Sequence, residues 1–170
     1  MTFLLLNKRT TDSPSALKLA GALSGFVLRT AACAILLAFA QPLPPTLDQI
    51  KADANLEHRS AAAIEFALAA EKSAEAAYSK TDLEACNKSL HEMEEAAVIA
   101  QDALDASGKR ASRNPKYYKL GEQKSREIIK RLEALEHKMD FAERKVLEAA
   151  KAKVTAIHDA WLEGIMSKTK

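Results

Sequence analysis

Thr81-Asp-Leu-Glu-Ala-Cys-Asn-Lys-Ser-Leu90-His-Glu-Met-Glu-Glu-Ala-Ala-Val-Ile-Ala100-Gln-Asp-Ala-Leu-Asp-Ala-Ser-Gly108 decides the fold class. Its apolar residues fall at Leu83, Cys86, Leu90, Met93, Ala97, Ala100 and Leu104, in alternating steps of three and four. That is the period of one face of an α-helix, and it leaves a charged face opposite. Both ends are punctuated. Thr81-Asp-Leu-Glu84 has the form of a capping box, in which a short side-chain oxygen caps an orphan N–H and the residue three on reaches back. Gly108 suits the left-handed position that stops a helix.

The same signals recur on either side. Thr46-Leu-Asp-Gln49 is a second capping box, and Asp140-Phe-Ala-Glu143 has the form of a third. Asn114-Pro115 places an N-cap before a proline at the first helical position. Four helices are therefore predicted, over 46–79, 82–107, 115–138 and 141–167. The first carries Leu47, Ile50, Ala54, Ala61, Ile64, Leu68 and Tyr78. The third carries Tyr118, Ile128, Leu132, Leu135 and Met139, with Gly121 and Ser125 on the same face. The fourth carries Leu147, Ala150, Val154, Ile157 and Trp161, with Phe141, Leu162 and Ile165 beside the stripe. Gly121 and Ser125 leave room for a close helix or for a large side chain such as Trp161. Gly and Pro number only five each, and no alternating, turn-bounded strand pattern is present.

Short links at 79–81 and at Asp140 force two antiparallel hairpins, joined by the longer link 108–114. The expectation is an all-α single domain over 46–170. It is either an up-down four-helix bundle or two stacked, solenoid-like hairpins.

Residues 1–40 differ from the rest. Lys8, Arg9, Lys18 and Arg29 stand against one acid, Asp12. An apolar run from Thr30 then ends in Ala38-Phe39-Ala40. A basic lead, an apolar stretch and a small-residue exit are the parts of a secretory signal peptide, with cleavage expected at Ala40. Residues 41–45 form a Pro-rich linker. An uncleaved anchor over 19–40 would put Arg29 inside the bilayer, which is costly. Cys33 precedes most of the apolar run, so it does not fit a lipoprotein signal. Cys86 would be the one cysteine left after cleavage, so no intramolecular disulfide is expected.

Charge is segregated. Residues 41–107 hold five Lys/Arg against thirteen Asp/Glu, whereas residues 108–139 hold ten against four. Lys109, Arg110, Arg113, Lys116 and Lys119, interleaved with Tyr117 and Tyr118, are candidates to hold an anionic component of the cell envelope. The plainer reading is that these cations face the acidic first hairpin. Nucleic acid is not expected as a partner of an exported protein, and membrane contact is expected only through an uncleaved signal segment.

The chemistry of an enzyme is not spelled out. No nucleophile elbow, phosphate loop, dinucleotide fingerprint or zinc motif occurs. His58, His91, His137 and His158 fall one to a helix, each near carboxylates. They leave a metal or small-ligand carrier as an alternative, although no Glu-x-x-His pair is present. No metal-ligand set and no cofactor are assigned. Cys86, on a core stripe, reads as a buried apolar residue. Trp161, Leu162, Ile165 and Met166 span more than one stripe and are candidates for a partner-binding face.

Asn114-Pro-Lys-Tyr-Tyr-Lys-Leu-Gly-Glu122, leading into Arg131-Leu-Glu-Ala-Leu135, and the ending Ile157-His-Asp…Gly164-Ile-Met166 resemble an uncharacterised group of exported bacterial all-helical proteins. The resemblance implies a periplasmic or secreted location and no activity. The first hairpin, with Ala77-Tyr78 before its turn, is similar to tetratricopeptide-type helical hairpins. The function expected is a non-enzymatic exported module acting by protein–protein contact, as adaptor, scaffold or accessory subunit. Its partner would be another protein or a second copy.

Overall fold

The computed structural model describes residues 45–167, and the expected signal peptide, its expected cleavage site and most of the expected linker lie outside them. The described residues are all α: α1 Leu47–Ala52, α2 Leu56–Ser79, α3 Leu83–Ala106, α4 Pro115–Glu136 and α5 Arg144–Met166.

The predicted first helix is two helices. The Thr46 capping box forms, with Thr46 N–H donating to Gln49 Oε1 at 3.0 Å. The chain then leaves the helix at Asp53-Ala-Asn55. Asp53 Oδ1 accepts the Asn55 N–H at 2.9 Å, Asn55 Oδ1 accepts the His58 N–H at 3.1 Å, and Arg59 Nε donates to the Asp53 carbonyl at 2.8 Å. These short side chains offer the backbone local partners that compete with the helix. Apolar periodicity alone ran through the break.

The α2–α3 turn is a Schellman motif. Asp82 N–H reaches the Ala77 carbonyl and Thr81 N–H the Tyr78 carbonyl, with Thr81 at φ +63°. The left-handed Thr81 cannot cap, so the cap moves to Asp82, which accepts the Ala85 N–H at 3.0 Å. Gly108, at φ +66°, ends α3.

The box expected at Asp140 does not form. Residues 141–143 make a turn closed by Glu143 N–H on the Asp140 carbonyl, and α5 starts at Arg144. The Glu143 carboxylate accepts instead from the Tyr78 hydroxyl at 3.2 Å. Phe141, expected beside the core stripe, is left 90% exposed.

The four long helices form a bundle in which α2 lies beside α3 and α4, and α5 beside α3 and α4. Helices α3 and α4 stand at diagonal corners. Ser60 Oγ donates to the Ala100 carbonyl across the antiparallel α2–α3 pair. Glu136–Lys151 and Glu122–His158 run in opposite senses along the α4–α5 pair. Partners along α2 and α4 rise together, so equivalent helices of the two hairpins lie side by side and parallel. Each predicted stripe of α3 and α5 turns inward: Leu90, Met93, Leu147 and Val154 are wholly buried, and Leu83 alone emerges. Gly121 receives the indole of Trp161; a Cβ built there would lie 2.7 Å from Trp161 Cζ3.

Candidate functional site

Part of the segregated charge is paired within the fold: four of the ten cations of 108–139 meet acids of α2. Along the α2–α4 seam, Glu57 pairs with Lys109 at 2.9 Å, Glu65 with Lys124 at 3.0 Å, and Glu75 with Lys138 at 2.7 Å. Between the last two, Glu71 faces Arg131 at 3.8 Å. Exposed pairs of this kind contribute about 0–1 kcal/mol each. They set which helices meet more than how tightly.

This ladder divides the basic segment. Lys109 is taken up by Glu57. Arg110, Arg113, Lys116 and Lys119 are exposed and have no ion-pair partner among the described residues. Arg113, Lys116, Lys119, Tyr117 and Glu57 line an open groove of about 460 Å³ at the start of α4. Lys116 Nζ lies 5.1 Å from the Tyr117 ring centre. Tyr118 turns the other way. Its hydroxyl donates to the Lys109 carbonyl at 2.7 Å and fastens the 108–114 link to α4.

The face expected at the end of α5 is corrected in its main member. Trp161 is 2% exposed, because Gly121 gives its ring a seat in the core. Leu162 and Ile165 are half-buried, and Met166 is exposed.

The exposed apolar cluster lies at the opposite end of the bundle. Leu83 and Val146 line a hollow of about 210 Å³ together with Asn87, Met139, Ala142 and Glu143, and the exposed Phe141 lies in the chain between Met139 and Ala142 of that lining. The sequence reading placed Phe141 beside the stripe of the fourth helix, whereas the link between α4 and α5 runs over 137–143 and holds it.

The histidines do not come together. His91 is exposed on α3 and His137 is exposed at the C-cap of α4. His58 pairs with Asp53 at the start of α2. His158 lies between Asp159 at 2.9 Å on Nδ1 and Glu122 at 3.2 Å on Nε2. Its two carboxylates sit on opposite sides of the ring and cannot share one ion. No three His, Cys, Asp or Glu side chains converge as a metal site among the described residues. Cys86 is wholly buried, and burial pushes its thiol above the usual range, away from the reactive thiolate.

Glu71 is a buried titratable group that sequence reasoning missed. It is wholly buried, and neither carboxyl oxygen has a hydrogen-bond partner. Burial, only partly offset by Arg131, raises its pKa from 4.5 to about 7. The signal was a gap: the α2 stripe is empty between Leu68 and Tyr78, where Glu71 and Ala74 continue the period.

Compared with known proteins, the chain matches no family model, no curated protein and no solved structure. No helix among the described residues is long and apolar enough to cross a membrane.

Proposed function

We propose that this protein is a non-enzymatic helical module of the bacterial cell envelope, exported by its N-terminal segment and acting by protein–protein contact as an adaptor or accessory subunit. The observation that supports the reading best is the exposed cluster of Leu83, Phe141 and Val146. Leu83 and Val146 line one hollow at the end of the bundle, and the exposed Phe141 lies in the chain beside Ala142 of that lining. Scattered exposed apolar residues are ordinary, whereas a contiguous group marks a place that another surface covers. Phe141, at 90% exposed, gains most from being covered, since aromatic side chains dominate contact energetics.

A photo-crosslinking amino acid placed at 141 in the full-length chain, expressed in its native cells, tests this. A discrete adduct is expected at 141 and not when the same group replaces Lys153 on the outside of α5. Its loss on Val146→Asp is the second expectation. Equal adducts at 141 and 153 would overturn the reading. The same extract tests export: the mature chain should begin at Gln41.

A further inference from the structure

Besides Glu133 and Ala134 in its last turn, the exposed positions of α4 are Lys116, Lys119, Gln123, Arg126 and Lys130, in steps of three, four, three and four. They therefore form one straight ridge along the helix, about 21 Å long at 1.5 Å per residue. Arg113 leads into it. Of its cations only Arg126 has an ion-pair partner among the described residues, the buried Glu122 beneath it, and Arg126 still exposes two thirds of its side chain. Residues 109–131 hold nine Lys/Arg against two Asp/Glu.

The diagonal corner of the bundle is the reverse. Residues 82–107 of α3 and its caps hold seven Asp/Glu against one Lys. Because α3 and α4 stand at diagonal corners of the bundle, the domain has a charge axis across its width. The outward charges of α4 are thus neither balanced by the α2 ladder nor screened by α3.

We propose that the α4 ridge is a docking surface for an anionic lipid bilayer, recognised through its headgroup phosphates. Charge complementarity selects a phosphate-bearing partner, and the shape selects a plane. A ridge of side chains on a straight helix presents all its cations to a flat array at once, whereas a groove would be needed to hold a flexible strand. The groove here is confined to the first turn of α4. The acidic α3 corner, repelled by the same surface, orients the molecule with α4 down. The inference is independent of the apolar cluster around Phe141, which lies at one end of the bundle and not along this side.

The test is flotation of the full-length chain with phosphatidylcholine vesicles, with and without phosphatidylglycerol. The N-terminal apolar segment is common to all variants, so the comparison is between two triple substitutions of equal charge. Lys116→Gln/Lys119→Gln/Lys130→Gln removes the ridge. Lys80→Gln/Lys145→Gln/Lys153→Gln removes three exposed lysines elsewhere. Each lysine at an anionic surface is worth about fivefold in partitioning, so the ridge variant should bind phosphatidylglycerol vesicles about a hundredfold more weakly. The control should stay near wild type, and binding should fall away toward about 1 M salt. Unchanged circular dichroism certifies the fold. Should the triple variant unfold, Lys116→Gln/Lys119→Gln carries the same comparison, with a loss of about twenty-fivefold. Equal losses in ridge and control variants overturn the proposal. So does capture by soluble polyphosphate at a salt concentration where the vesicles no longer bind, which would assign the ridge to a dissolved polyanion.

Discussion

The two hairpins solve the same packing problem with opposite materials. Between α2 and α3 the seam is largely alanine: Ala63, Ala67, Ala70 and Ala74 face Ala96, Ala97 and Ala100, all buried. Many small contacts spread the cohesion along the whole length, and no single residue dominates. Between α4 and α5 one large ring, Trp161, fills the one hole that Gly121 leaves. The first hairpin tolerates an irregularity in its stripe, and Glu71 is such an irregularity. The second has no slack where its knob sits. A distributed seam and a keyed seam therefore differ in where a substitution hurts, and each can be broken separately.

The largest effect is expected at the keyed seam. Gly121→Val sets a branched side chain where three Trp161 ring carbons already lie 2.7–3.0 Å from an ideal Cβ. Overpacking a rigid ring, with no flexible group to yield, should cost about 4 kcal/mol. On an exposed helix, replacing glycine would be expected to stabilise by up to about 1 kcal/mol, so the sign is the test. A urea titration of Gly121→Val against wild type reads it. Adding Trp161→Leu should restore part of the loss, because the obstructed ring is gone. A neutral Gly121→Val would mean that the ring is free to leave its seat and that the comparison fails.

The next effect probes the flaw in the other hairpin. Glu71 has its pKa raised from 4.5 to about 7 by burial, with Arg131 opposing and the carboxylates of Glu75 and Glu127 adding to the rise. A raised carboxyl pKa means that the folded state prefers the protonated acid. Its contribution to stability is full below pH 4.5 and is lost as pH rises toward and through about 7. At about 1.4 kcal/mol per unit, the loss across that window is about 3 kcal/mol. Glu71→Gln keeps the shape and removes the titration. The difference in urea midpoint between wild type and Glu71→Gln should grow from pH 4.5 to pH 8 in favour of the variant. Taking the difference removes the opposing carboxylates, Glu75 and Glu136, whose pKa values are lowered by Lys138 and Lys151. A flat difference would show that Glu71 is not sealed in the folded state.

How far the sequence could be read follows from what each signal measures. Apolar period measures burial along one helix, so the α3 and α5 stripes were legible nearly residue by residue, and Gly121 with Ser125 marked the space that Trp161 fills. It does not measure backbone continuity, and Asp53-Ala-Asn55 was passed over although both flanking residues are turn formers. A capping box is a pattern of side chains that can reach back. At Asp140 the Glu143 side chain had a better partner in Tyr78, sixty-five residues away, which no local pattern contains. The acidic and basic blocks forecast that α4 would meet the first hairpin, but not that α2 rather than α3 would receive it. The exposed face of α4 was legible only in part. Lys116 and Lys119 were singled out as neighbours of a basic loop, whereas Arg126 and Lys130 join them only once the helix and its exposed side are known.

The smallest effect separates the two turns that close the hairpins. Thr81 takes the left-handed position of a Schellman motif at φ +63°, a place normally given to glycine because a Cβ, and a branched one most of all, crowds the adjacent carbonyl. The turn keeps its two defining hydrogen bonds, so the geometry is imposed by the length of the link and by the close approach of α2 and α3 and not by the residue. The link of the second hairpin is longer and needs no such residue: no positive φ occurs between Glu136 and Arg144. Thr81 is exposed, so replacing it changes little besides the backbone. Thr81→Gly should therefore raise stability by about 1 kcal/mol, the left-handed penalty of an L-residue less the entropy that glycine adds to the unfolded chain. Thr81→Asn should give a smaller gain, since asparagine tolerates the same region. A loss on Thr81→Gly would instead mean that the threonine side chain holds the turn closed. The tight seam of the first hairpin would then depend on its turn as much as the second depends on its tryptophan.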